Sequence, residues 1–212
     1  MAPFMLALLC GRPMMLRFLA AALLAATSAP LLAQAAPAPA AAADEVPVAI
    51  ETSAGRIVVA LDKTHAPVTT ANFLHYVDTH RFDGESFYRA MPAGSGGLIQ
   101  GGIRSDGRKL FPPIPHEPTS ATGLHNVKGA ISMANAGPGT ARADFFILAS
   151  DIPSFDATAS DPGFAVFGHV TEGMEVVQKI LTSPVSPTAG EGAMKGQMLD
   201  PPVKIIKVER VK

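Results

Sequence analysis

Residues 86–89 read SFYR and residues 98–102 read LIQGG, while residues 131–139 read ISMANAGPG and residues 144–147 read DFFI. Together these stretches supply one cation, two amide side chains, a run of small residues and an aromatic pair. The set contains neither a nucleophile nor a general base. It therefore indicates a site that binds a peptide and twists one of its amide bonds without breaking a covalent bond.

The first 35 residues predict a secretory signal peptide. Arg12 and Arg17 precede the apolar run at 18–26, and Ala33-Gln34-Ala35 matches a small-x-small cleavage pattern. A transmembrane anchor is the alternative, although the run is too short to span a bilayer. Residues 36–46, rich in proline and alanine, predict an exposed linker. We therefore expect a secreted, periplasmic protein that leaves the membrane after cleavage, with residues 47–212 as its one domain.

Charge and cysteine content exclude several classes of function. Without Arg12 and Arg17, the chain keeps 17 − 2 = 15 basic residues against 18 acidic ones. No basic stripe is present, which argues against a nucleic-acid partner. The single cysteine, Cys10, falls in the predicted leader, so the mature chain has no disulfide, thiolate catalyst or cysteine metal site. The six histidines show no ligand spacing, and we expect neither a metal nor a cofactor.

The apolar patterns predict many short strands and two helices. Two β-branched runs, at 48–52 and 56–61, flank a turn and predict a hairpin. Helices are expected at about 67–79 and 173–182, and long loops at 103–127 and 183–201. Further strands are expected at 86–91, 97–102, 128–133, 144–149, 164–170 and 203–211, the last with a bulge at Ile205-Ile206. Such a pattern is typical of a small barrel or a sandwich.

The four quoted stretches, in this order, resemble the cyclophilin family of peptidyl-prolyl cis-trans isomerases. The likeness runs from about Val48 to Val211. It implies a mainly β fold, a closed eight-stranded antiparallel barrel capped at both ends by an α-helix. It also implies isomerisation of X-Pro bonds in exported proteins, which would assist their folding. The implied partners are proline-containing polypeptides, and we expect a monomer.

The resemblance assigns catalysis to Arg89 and Gln100. Rotation about an X-Pro bond is slow because the amide has partial double-bond character. A fixed cation that hydrogen-bonds the prolyl nitrogen as it becomes pyramidal would stabilise the twisted state. Arg89 matches the family's catalytic arginine, and Gln100 matches the glutamine that orients it.

The resemblance also assigns the residues that hold the peptide. Ala134, Asn135 and Ala136 match the family strand whose backbone pairs with the residues before proline, as in strand addition at a sheet edge. Phe146 matches the floor of the proline pocket, with Phe145 directed to the opposite face. Two further residues, Phe155 and Phe164, fall near positions that complete the pocket, around a long insert at 156–163.

Three departures from the family pattern bear on activity. Ten residues separate Arg89 from Gln100 (100 − 89 − 1 = 10), about three more than is usual in the family. Gly97 stands where the family has a pocket phenylalanine. Asp144 replaces a glutamine, and its carboxylate could pair with Arg89. These changes keep one alternative open, a proline-peptide binding module or chaperone with weak or no turnover. A small-ligand barrel carrier is a second alternative.

Overall fold

Eight strands close into an antiparallel barrel in the computed structural model, which describes residues 44–211. The predicted signal peptide (1–35) and most of the predicted linker (36–46) lie outside the described residues. The strands are β1 (Glu45–Thr52), β2 (Gly55–Asp62), β3 (Ser86–Ala93), β4 (Gly96–Gly102), β5 (Ala130–Met133), β6 (Phe145–Leu148), β7 (Val166–Glu172) and β9 (Met198–Arg210). Their order is β1-β2-β7-β5-β6-β4-β3-β9, and pairing of β1 with β9 closes the ring. The predicted eight-stranded barrel is confirmed.

Within the described residues three α-helices accompany the barrel, one more than the sequence predicts. Helix α1 (Pro67–Asp78) begins with a proline, whose missing N–H costs nothing in a first turn. Helix α3 (Met174–Leu181) packs buried Val177 and Ile180 against the core. The additional helix α2 (Thr119–Thr122) is a single turn inside the loop predicted at 103–127. No helix within 44–211 is long and apolar enough to cross a membrane.

The loop predicted at 183–201 is shorter than expected because β9 begins at Met198. A two-residue strand, β8 (Val185–Ser186), pairs with Leu199 and Met198. Two prolines, which cannot donate to a ladder, stand at positions 201 and 202. They fall in an irregular segment of β9, between the residues that pair with Arg89 and Phe87 of β3.

The bulge predicted near the C-terminus is confirmed. Glu51 pairs with Lys207 and Thr52 pairs with Ile205, so Ile206 is the extra residue. Strand β1 begins at Glu45, two residues before the predicted start of the domain, and Val46 already pairs with Leu61.

The barrel interior is filled with side chains. Phe73, Phe87, Phe145 and Phe167 are all fully or almost fully buried in one cluster. Phe73 and Phe145 meet edge to face, with ring centroids 5.2 Å apart. A filled interior does not favour the alternative of a small-ligand carrier. Phe146 belongs to a separate cluster on the outside of the sheet, as alternation along β6 predicts.

Candidate active site

A cleft of about 840 Å³ lies on the outer face of the barrel over β3, β4 and β6. All eight residues singled out from the sequence line it: Arg89, Gln100, Ala134, Asn135, Ala136, Phe146, Phe155 and Phe164. None of them lies elsewhere. The structure therefore brings the set together in one place, while the role of each residue stays a prediction.

A β-bulge in β3 directs Arg89 into the cleft. Phe87 pairs with Gly101 and Arg89 pairs with Gln100, which leaves Tyr88 as an extra residue. Phe87 points into the core, whereas Tyr88 and Arg89 both line the cleft. Bulges redirect side chains in this way. Because Arg89 and Gln100 are cross-strand partners, their side chains start side by side.

The Arg89 guanidinium is held on three sides. Its Nη1 donates to Gln100 Oε1 at 2.8 Å and its Nε donates to Gln197 Oε1 at 2.9 Å. Its Nη2 lies 3.3 Å from the sulfur of Met91. Burial lowers the pKa of Arg89, but an arginine in a protein remains protonated. Within 44–211 no carboxylate forms an ion pair or hydrogen bond with Arg89, so the Asp144 carboxylate, which could have paired with it, does not do so.

Tyr88 is a site residue that the sequence reasoning missed. Its hydroxyl accepts a hydrogen bond from Gln100 Nε2 at 2.7 Å, which fixes the Gln100 amide with its oxygen towards Arg89. The Arg104 guanidinium lies over the Tyr88 ring, 4.6 Å from its centroid. A tyrosine directly before the arginine was visible in the sequence, but only the bulge places it beside Gln100.

Three phenylalanines form an aromatic wall beside Arg89. Phe146 meets Phe164 edge to face at 5.3 Å and Phe155 at 5.8 Å, and Phe155 and Phe164 are 4.9 Å apart. Gly97 contributes no side chain. It has a positive φ of 143°, and a Cβ there would collide with the Met91 carbonyl oxygen. The aromatic wall therefore forms without a side chain from position 97.

A buried amide holds the wall in place. Asn126 is 1% exposed, and its Nδ2 donates to the Phe155 carbonyl at 3.1 Å and to Asp156 Oδ1 at 2.8 Å, with a longer bond of 3.4 Å to the Phe164 carbonyl. Its Oδ1 accepts from the Ser132 hydroxyl at 2.8 Å. The Phe164 N–H donates to the Phe155 carbonyl at 2.9 Å and closes the insert at 156–163. No sequence motif marked Asn126 as a residue that supports the site.

The segment after β5 offers a peptide-binding edge. Ala134 N–H donates to the Asp144 carbonyl at 2.9 Å, and Ala136 N–H donates to Thr140 Oγ1 at 2.9 Å. Within the described part of the chain, no hydrogen bond uses the main-chain N–H or C=O of Asn135. These two groups lie at the cleft and can pair with an extended peptide.

Asp144 lies in the cleft next to Tyr88 and Arg104 rather than against Arg89. Its Oδ1 is buried without a hydrogen-bond partner, packed against Gly102. Any side chain at position 102 would overlap Asp144, and the φ of 151° there also favours glycine. Burial raises the pKa of Asp144 from 3.8 to about 6, and the Arg104 charge only partly opposes this.

Asp144→Asn is expected to stabilise the protein at neutral pH. Between pH 3.8 and about 6, Asp144 is ionised in the unfolded chain but still protonated in the folded protein. The free energy of unfolding therefore falls as the pH rises through this window. The cost is complete above about pH 6 and absent below 3.8. At pH 7 the variant should gain about 1–3 kcal/mol in urea denaturation, and the gain should vanish near pH 3.8.

Asp200→Asn, which changes an exposed aspartate, serves as the control and should show no such gain. A loss of stability in Asp144→Asn at pH 7, or a gain that persists at low pH, would contradict this account of the carboxyl.

Among residues 44–211 no group of three His, Cys, Asp or Glu side chains is arranged to hold a metal ion.

Comparison with known proteins gives one family. A family model described as "Cyclophilin type peptidyl-prolyl cis-trans isomerase/CLD" matches residues 47–210. The chain is 41% identical to peptidyl-prolyl cis-trans isomerase A of Dickeya dadantii over 137 residues, covering 63% of this chain and 70% of that one. It is 35% identical to a peptidyl-prolyl cis-trans isomerase of Acinetobacter baylyi over 164 residues, covering 76% and 84%.

Solved structures support the fold. A cyclophilin-type peptidyl-prolyl cis-trans isomerase of Cryptosporidium parvum superposes with a TM-score of 0.64 at 20% identity, covering 79% of this chain and 98% of that one. A second structure of that protein, determined in the presence of the dipeptide Ala-Pro, gives 0.63 at 21% identity and covers 78% and 99%. At this level of identity the likeness concerns the fold alone.

Proposed function

Because the chain belongs to the cyclophilin family of peptidyl-prolyl cis-trans isomerases, we propose that it isomerises X-Pro bonds of exported proteins and so assists their folding. The observation that carries this proposal is the Arg89 guanidinium, which is half-buried in a peptide-sized cleft and held by neutral amides. The leader predicted at 1–35 supports a periplasmic location. The substrate is then an unfolded or partly folded polypeptide with an accessible proline.

Arg89 lowers the barrier by acting on the twisted amide. In a planar X-Pro bond the nitrogen lone pair is delocalised into the carbonyl and accepts no hydrogen bond. As the bond rotates, the nitrogen becomes pyramidal and its lone pair can accept an N–H from Arg89. The interaction is made in the transition state and not in the ground state, so it accelerates rotation. A partly buried site strengthens it, because the effective dielectric is lower than in water.

The rest of the cleft holds the peptide while the bond turns. Phe146 receives the proline ring, with Phe155 and Phe164 at its edges. The main chain of Asn135 pairs with the residue before the proline, which fixes one side of the rotating bond. Gln100 keeps Arg89 directed at the prolyl nitrogen. Rotation can then proceed with no covalent intermediate.

One experiment tests both the location and the reaction. The protein is recovered from a periplasmic extract, its intact mass is measured, and its effect on Xaa-Pro peptides is followed in a protease-coupled assay. We expect a chain that begins at Ala36 and accelerates isomerisation well above the uncatalysed rate. It should also speed the proline-limited refolding phase of an exported protein.

A chain retained in the membrane with its leader would contradict the proposed location. Binding of proline peptides without acceleration would contradict the proposed reaction and favour the binding module or chaperone, the alternative that the absence of a side chain at Gly97 keeps open.

A further inference from the structure

We propose that Gln197 is a positioning residue for Arg89, acting from the far end of the chain. This inference rests on the proposed catalytic role of Arg89. The Gln197 Oε1 accepts the Arg89 Nε–H at 2.9 Å across 108 positions of sequence. Of the described residues, those that line the cleft do not include Gln197, although its neighbours Ala193 and Met194 do. Gln197 therefore contacts Arg89 without itself lining the cleft.

The hydrogen bonds to Gln100 and Gln197 together fix the orientation of the Arg89 guanidinium, which a single hydrogen bond would leave free to rotate. With Gln100 alone, the guanidinium can still rotate about the single Nη1–oxygen contact. The bond from Nε to Gln197 fixes a second edge of the planar group, and the Met91 sulfur lies against Nη2. A guanidinium has five N–H donors, so these three contacts leave two for the prolyl nitrogen and the peptide. Orientation at this level matters because small displacements of a catalytic group cost large factors in rate.

Gln197 is itself held by the backbone. Its carbonyl accepts the Ala90 N–H at 2.9 Å, and its own N–H donates to the Met194 carbonyl at 3.1 Å. The next residue, Met198, is the β9 partner of Arg89 in the sheet. The Gln197 side chain thus starts from the residue directly before β9, beside Arg89, and reaches Nε with little freedom.

Both side chains that accept hydrogen bonds from Arg89 are uncharged. Gln100 and Gln197 both offer neutral amide oxygens, which accept from a guanidinium without cancelling its charge. A carboxylate at either position would hold Arg89 in an ion pair and weaken its pull on the prolyl nitrogen. The geometry thus immobilises Arg89 and leaves its positive charge available to the substrate.

The test compares Gln197→Met with Lys195→Met. Methionine keeps the length and flexibility of glutamine but has no oxygen acceptor, and Lys195 is an exposed residue of the same turn without a side-chain contact to Arg89. We expect Gln197→Met to lower kcat by about five- to twentyfold with KM within about twofold. Lys195→Met should match the wild type. In both variants, thermal unfolding should stay close to the wild type.

Two further measurements separate positioning from a general structural role. The Arg89 Nε–H should be protected from exchange in NMR spectra of the wild type and should exchange faster in Gln197→Met. In an Arg89→Ala background, Gln197→Met should cause no further fall in kcat, because its effect passes through Arg89.

Wild-type kcat in Gln197→Met would overturn the inference, and so would a further loss of the same size in the Arg89→Ala background. These results would leave the proposed function intact. Unchanged activity in Arg89→Ala alone would instead overturn the proposed mechanism and, with it, the role of Gln197.

Discussion

Arg89→Ala is expected to lower kcat for prolyl isomerisation by about ten- to a hundredfold or more, with little change in KM. A charge-assisted hydrogen bond contributes roughly 1.5–3 kcal/mol. Here it forms only as the prolyl nitrogen becomes pyramidal, so its loss raises the barrier without weakening ground-state binding. Arg89→Lys should recover little activity, because an ammonium cannot contact Gln100 and Gln197 together and still present a fixed donor.

Arg56→Ala is the matched control for removing an arginine. Arg56 lies on β2, and its guanidinium forms an ion pair with Glu51 at 3.4 Å on the surface. Its loss should leave kcat and KM unchanged. Circular dichroism should confirm that Arg89→Ala stays folded. If a folded Arg89→Ala variant retains the wild-type isomerisation rate, Arg89 does not take part in the mechanism. The hypothesis of a proline-peptide binding module would then be favoured.

Asn126→Ala is expected to destabilise the protein by about 2–4 kcal/mol and to weaken peptide binding. The change leaves the buried Ser132 hydroxyl without its acceptor. It also removes one of the donors to the Phe155 carbonyl and to Asp156 Oδ1, which keep the main-chain N–H groups of Phe164 and of residue 126. Because those bonds hold both Phe155 and Phe164 against Phe146, we also expect KM for proline peptides to rise. Urea denaturation and steady-state kinetics measure the two effects.

Asn126→Asp provides a second variant of the same size. It removes the Nδ2 donor and places a carboxylate where the amide nitrogen now lies 2.8 Å from Asp156 Oδ1, so it should be at least as destabilising at neutral pH. Ser160→Ala, in the exposed part of the same insert, is the control and should have no measurable effect. Stability equal to the wild type in both Asn126 variants would show that the network does not support the pocket.

Local contacts explain why much of the fold and site was predictable. The Arg89–Gln100 pair comes from neighbouring strands joined by a short turn, so the two residues had to lie close together once both strands were recognised. Phe145 and Phe146 had to point to opposite faces, because side chains alternate along a strand. The bulge at Ile206 followed from two adjacent apolar residues in a strand with one face towards the core.

Residue types and local periodicity thus determined by themselves the strands, the position of two helices, the arginine and glutamine on adjacent strands and the aromatic pair. Pairing between strands that are distant in the chain decided the rest. It brings Gln197 to Arg89 and, through the fold of the insert, Asn126 to Phe155 and Phe164. It also places Asp144 against Gly102 and Tyr88, away from Arg89, an arrangement that depends on the register of β4 with β6. Such contacts depend on which distant strands become neighbours and on the register of their pairing, and no local sequence pattern encodes either.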